Sequence, residues 1–73
     1  QIAQILRSVG KECFLRDLEV FKNRGMTRLQ KAEYLVKTYG YRPMASTIRV
    51  ANATRLINSG RLELAVKMAK IGD

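Results

Sequence analysis

A short pattern of residues occurs twice in this chain, about 33 to 35 positions apart. Asn23 to Gly25 precedes Asn58 to Gly60 by 35 positions, and segment 28–32 precedes segment 61–65 by 33. Self-similarity at this period is typical of stacked helical hairpins, in which each hairpin buries its apolar face against a neighbour. The repeat therefore predicts an all-α fold, in which two antiparallel helical hairpins follow a short lead-in helix.

Local signals place the ends of these helices. Thr27 and Gln30 have the spacing of a capping box, which starts a helix. Gly40 and Gly60 stand where a left-handed residue ends one, and Pro43 suits a first helical turn. Together with the apolar periodicity, these signals predict helices over residues 2–9, 11–24, 28–39, 43–59 and 62–71, with Gly72 as the final stop.

The length allows one small domain. We expect a single helical domain over residues 1–73, with one repeat at about 11–40 and a second at about 43–72. A chain of this size buries only about 60% of its unfolded surface and is marginally stable alone. Isolated repeat arrays usually need about three repeats. The chain begins at Gln1 rather than Met, which is compatible with an excerpt of a longer protein.

Two helices have apolar residues beyond the face that a single hairpin buries. The helix over 43–59 is apolar on most of its circumference, which is typical of a helix packed between neighbours. The last helix has a second apolar stripe formed by Leu64, Met68 and Ile71. We predict that this stripe is an interface with another chain or with a further repeat.

The charge of the chain favours an anionic partner. Fourteen Lys and Arg against six Asp and Glu give a net charge of +8, and a basic excess of this size is typical of nucleic-acid-binding surfaces. Between Glu33 and Glu63 there is no acidic residue. The predicted nucleic-acid contacts lie in this interval: Lys37, Arg42, Arg49, Arg55, Arg61 and Tyr41.

Three tyrosines near the middle of the chain have two interpretations. Tyr34, Tyr39 and Tyr41 lie close to Lys37 and Arg42, and aromatic rings beside cations can stack on nucleobases while the cations hold phosphate. Alternatively, the rings pack the joint between the two hairpins. The sequence leaves both open.

Catalytic chemistry is not predicted. The chain has no His, which excludes His-based acid–base catalysis and metal sites of the Cys/His kind, and it has no Gly-rich phosphate loop. Cys13 lies on or beside an apolar face and is expected to be a buried structural thiol. We therefore predict a non-enzymatic protein without cofactor or metal. The lone Cys favours an intracellular location, in the cytoplasm, nucleoid or nucleus, and no apolar run is long enough to span a membrane.

Two segments resemble known helical-repeat families. Residues 60–65, Gly-Arg-Leu-Glu-Leu-Ala, are similar to the hairpin turn of tetratricopeptide and pentatricopeptide repeats, and a similar turn occurs in coatomer-like solenoids. Residues 40–43 followed by Thr47 resemble a pentatricopeptide repeat in the order of their residues. The interval from Thr47 to Gly60, however, is one residue longer than in that family. Arg49 falls near the position that reads a base in that family, where Arg is unusual. The resemblance implies a helical-hairpin repeat without choosing among these families.

The predicted function is a non-enzymatic binding module that contacts nucleic-acid phosphates through a basic surface, with DNA and RNA not distinguished. One alternative is a protein-interaction scaffold or oligomerisation domain, whose helical grooves hold a partner. A further alternative is a helix-turn-helix DNA-binding domain over residues 28–59. That alternative needs apolar residues where Ser46 and Arg49 stand.

Overall fold

The computed structural model describes residues 1–71, and within them the chain is all-helical, with no strand. The helices are α1 (Ile2–Val9), α2 (Lys11–Arg16), α3 (Leu18–Lys22), α4 (Arg28–Tyr39), α5 (Pro43–Asn58) and α6 (Leu62–Ile71). The predicted all-α class and the short lead-in helix α1 are thus confirmed. The predicted stop at Gly72 lies outside the described residues.

Most helix ends form where the local signals predicted them. The Thr27 hydroxyl accepts a hydrogen bond from the Gln30 backbone N–H at 3.1 Å, and the Gln30 side chain accepts from the Thr27 N–H at 2.8 Å. This is the complete capping box. Gly40 ends α4 with a φ of 73°, and Gly60 follows α5 with a φ of 79°. Both values lie in the left-handed region, which glycine adopts without a Cβ penalty.

The predicted continuous helix over 11–24 is wrong. The helix is interrupted at Asp17, whose φ of −112° and ψ of 22° are not helical, and this separates α2 from α3. The α3 helix ends at Lys22, because the Asn23 side chain accepts a hydrogen bond from the Gly25 N–H at 2.8 Å and closes a turn. Gly25 therefore lies in the connection to α4.

The central element is α5, which packs most extensively against α1 and α4, while α6 lies mainly on α2. The most extensive contacts thus join α5 to the lead-in helix and to the second helix of the first predicted hairpin. Whether the chain is divided into two repeats stays a prediction. The core contains mainly aliphatic and aromatic side chains, among which Leu6, Phe14, Phe21, Leu35, Val50 and Leu56 are nearly or fully buried.

None of the helices within residues 1–71 combines the length and the apolar character that crossing a bilayer requires.

Candidate nucleic-acid interface

A buried carboxylate lies at the interruption between α2 and α3. Asp17 is only 3% exposed. One of its oxygens accepts hydrogen bonds from Arg16 Nε at 3.0 Å and Arg16 Nη2 at 2.9 Å, and the other accepts from the Tyr39 hydroxyl at 2.7 Å. Buried charges are tolerated when they are paired and hydrogen-bonded in this way. The hydrogen bond to Asp17 raises the pKa of Tyr39 above its ordinary value.

Two guanidinium groups stack on the tyrosines of this region. The Arg16 guanidinium lies 3.6 Å from the ring centre of Tyr39, and that of Arg49 lies 4.7 Å from the ring centre of Tyr41. The Tyr39 and Tyr41 ring centres are 5.3 Å apart, and Arg16 Nη2 donates to the Tyr41 hydroxyl at 3.1 Å. We call Arg16, Asp17, Tyr39, Tyr41 and Arg49 the stacked cluster. It joins α2, the end of α4 and α5.

The stacked cluster favours the structural interpretation of the tyrosines. Tyr39 and Tyr41 are half-buried and pack against the core, with Tyr34 edge-on to Tyr39 at 6.2 Å between ring centres. Arg16 forms its ion pair with Asp17. The rings therefore hold together segments that are distant in the sequence.

Arg49 also connects α5 to the end of α1. Its Nη1 donates a hydrogen bond to the Val9 backbone carbonyl. A Cβ on Gly10 would lie 3.0 Å from this Nη1, and Gly10 has a φ of 93°. Glycine is therefore favoured after α1, both for its backbone conformation and for the close approach of the guanidinium. Arg49 was predicted to contact phosphate, but in the structure its guanidinium is engaged in packing within the protein.

The other four predicted cations are free to contact a ligand. Lys37, Arg42, Arg55 and Arg61 are exposed. None of them forms an ion pair with an acidic residue in the part of the chain that the structure describes. Arg42 precedes α5 and Arg55 lies in its last turn, so they stand about 20 Å apart along the helix axis. Whether these residues bind nucleic acid stays a prediction.

The exposed face of α5 lies between these two arginines and carries no carboxylate. Its exposed members recur at helical spacing and are Met44, Thr47, Ile48, Arg55 and Asn58. Met44 is 77% exposed and Ile48 is 50% exposed. The prediction that α5 is packed on most sides therefore holds for the sides that face α1 and α4, whereas this face is open. It combines apolar, hydroxyl, amide and cationic groups.

One basic residue, Lys31, is buried. Lys31 is only 8% exposed, and its Nζ donates to the Phe21 backbone carbonyl at 2.7 Å. It thereby satisfies a carbonyl in the last turn of α3, where a positive charge also complements the helix dipole. The sequence signal for this burial is that Lys31 lies beside Ala32 and one turn before Leu35, on the inward side of α4.

The three residues of the predicted partner stripe on α6 line two grooves. Leu64 is 43% exposed and lines a groove beside α3. Met68 and Ile71 line a different groove, beside α1 and α2, where Ile71 is 76% exposed and Met68 is half-buried. Whether these three side chains contact another chain or a further repeat stays a prediction.

The predicted burial of Cys13 is confirmed, with 4% of the residue exposed. Burial raises the pKa of its thiol, although two neighbouring guanidinium groups act in the opposite direction. A thiol with a raised pKa is a poor nucleophile. No cluster of three or more potential metal-ligating side chains occurs within residues 1–71.

Comparisons with protein families, curated proteins and solved structures find no significant match to this chain. The resemblance to helical-repeat families therefore stays a prediction.

Proposed function

We propose that this protein is a non-enzymatic binding module that contacts nucleic-acid phosphates through the exposed face of α5 and the cations at its ends. The observation that carries the proposal is the lack of any carboxylate on that face, together with exposed Lys37, Arg42, Arg55 and Arg61, which have no acidic partner in the described residues. Cations that are not neutralised within the protein attract phosphate and release counterions when they bind it.

The stacked cluster supports this surface by positioning α5. Arg49 binds the end of α1 and stacks on Tyr41, next to Arg42 at the start of α5. Interfaces that must match a regular phosphate backbone benefit from a rigid scaffold, because less conformational entropy is lost on binding. Arg49 thus contributes by holding the binding helix in place, and four exposed cations provide the phosphate contacts.

Charge reversal at the two ends of α5 tests the proposal. We expect the double variant Arg42→Glu and Arg55→Glu to lose most of its affinity for a fluorescently labelled oligonucleotide in an anisotropy titration. The matched control is the double variant Lys67→Glu and Lys70→Glu, which makes the same change in net charge on α6. Equal losses in the two variants would show that only overall charge matters and would contradict a site on α5.

A second candidate is a helix-turn-helix-like domain, in which the exposed face of α5 enters the major groove of DNA. It is favoured by the burial of Ser46, which faces inward as that arrangement requires, although the arrangement needs an apolar residue at this position. The apolar side chains of Met44 and Ile48 could then contact thymine methyl groups. The titration distinguishes this candidate, because it requires a preference for double-stranded over single-stranded oligonucleotides and sensitivity to Ile48→Asp.

A further inference from the structure

A groove of about 790 Å³ lies between α3 and α6, apart from the stacked cluster. Its apolar lining consists of Leu18, Leu62, Leu64 and Val66. Leu64 is 43% exposed, and the other three are half-buried. Apolar side chains that converge on a groove in this way lose contact with water when a complementary apolar surface covers them.

Lysine side chains border the same groove. Lys22, Lys67 and Lys70 line it, and Glu63 is the acidic residue that lines it among the described residues. Lys67 and Lys70 form no ion pair within residues 1–71, and Lys22 is 4.0 Å from the highly exposed Glu19. Two of the bordering lysines, Lys67 and Lys70, thus have no acidic partner within residues 1–71.

We propose that this groove binds an acidic amphipathic helix of a partner protein. Such a helix presents apolar side chains at i, i+3, i+4 and i+7, which cover the apolar lining, and its flanking Asp and Glu face the lysines. The α6 helix is ten residues long, or about 15 Å, so it accommodates about three turns of a partner helix. This inference is independent of nucleic-acid binding.

The composition of the groove argues against two other occupants. A second copy of this chain also carries a net charge of +8 and would bring further lysines towards Lys67 and Lys70, which costs free energy through like-charge repulsion. A nucleic-acid backbone would satisfy the lysines, but its phosphates would leave the leucine side chains without an apolar partner. An acidic amphipathic helix satisfies both features together.

The test uses a fluorescently labelled synthetic helix with leucines at one face and glutamates elsewhere, titrated with the 73-residue protein. We expect saturable binding that weakens about tenfold in the double variant Lys67→Glu and Lys70→Glu, because each reversal replaces a favourable ion pair with a repulsive one. We expect Leu64→Gln to weaken binding as well, since it removes part of the apolar lining. Because Leu64 is partly exposed, the fold should tolerate this change, and circular dichroism checks that it does.

Two controls isolate the groove. The double variant Arg42→Glu and Arg55→Glu, with the same change in net charge on α5, should bind the peptide within about twofold of the wild type. A peptide with the glutamates replaced by lysines should not bind. The proposal is overturned if the acidic peptide fails to bind at millimolar concentration or binds all variants equally. A dimer in light scattering that Leu64→Gln dissociates would show that a second copy occupies the groove, and would also overturn the proposal. So would a double variant Lys67→Glu and Lys70→Glu that loses oligonucleotide binding but keeps peptide binding.

Discussion

Replacement of Lys31 by Met isolates the contribution of one buried cation. Met keeps most of the length and the apolar character of the side chain but cannot donate to the Phe21 carbonyl, which Lys31 Nζ approaches at 2.7 Å. A hydrogen bond that involves a charged group contributes about 1.5–3 kcal/mol to stability, and its loss leaves a carbonyl without a partner. We expect the free energy of unfolding to fall by about this amount.

The expected loss is large for a domain of this size. At 0.05–0.15 kcal/mol per residue, a chain of 73 residues has a stability of about 4–11 kcal/mol. In domains of this length, 1 kcal/mol lowers Tm by about 4–8 °C, so the variant should melt roughly 6–24 °C below the wild type. Thermal unfolding followed by circular dichroism measures this difference directly.

The matched control is Lys37→Met, six positions further along the same helix. Lys37 is exposed and has no ion pair within residues 1–71, so its replacement should cost less than about 1 kcal/mol, mainly through the helix dipole. The same substitution on α4 should therefore have clearly different effects at the two positions. If Lys31→Met destabilises the protein no more than Lys37→Met, the contact with α3 does not stabilise the fold.

Two further predictions concern the stacked cluster and its neighbourhood. Because the pKa of Tyr39 is raised in the folded state, its contribution to stability is fully present below the ordinary tyrosine pKa of about 10 and is lost as the pH rises above it. Urea titrations at several pH values should show that, above this pH, the free energy of unfolding falls more steeply for the wild type than for Tyr39→Phe. If it depends on pH identically in both proteins, the contact with Asp17 is refuted. Gly10→Ala should cost about 1–3 kcal/mol through backbone strain, with a further cost from the guanidinium that approaches it. Gly40 also has a positive φ, but no atom lies within 4 Å of an added Cβ, so Gly40→Ala should cost less. A lower Tm for Gly40→Ala than for Gly10→Ala would contradict the crowding at Gly10.

The sequence predicted those features that depend on neighbouring residues. The start of α4 at the Thr27 capping box and the end of α4 at Gly40 require only residues within one turn, so their signals could be recognised directly. The burial of Cys13 followed from its place beside an apolar helical face. These elements define the class of the fold.

The features that the sequence did not predict depend on contacts between distant residues. The interruption at Asp17 is stabilised by the hydroxyl of Tyr39, which lies 22 positions away. The engagement of Arg49 depends on the carbonyl of Val9, 40 positions away. In both cases a charged residue finds a partner that only the packed fold provides, so the local pattern indicated an ordinary helix or a surface cation.

The most direct test of the proposed function is the dependence of oligonucleotide affinity on salt. If all four exposed cations, Lys37, Arg42, Arg55 and Arg61, contact duplex phosphates, log K should fall with log salt concentration with a slope of about −3.6. Affinity should then decrease roughly 100-fold between 50 and 200 mM salt, and Arg55→Gln should reduce the magnitude of the slope by about 0.9. A slope near zero, or no binding to single- or double-stranded oligonucleotides at low salt, would contradict the proposal that this protein binds nucleic acid.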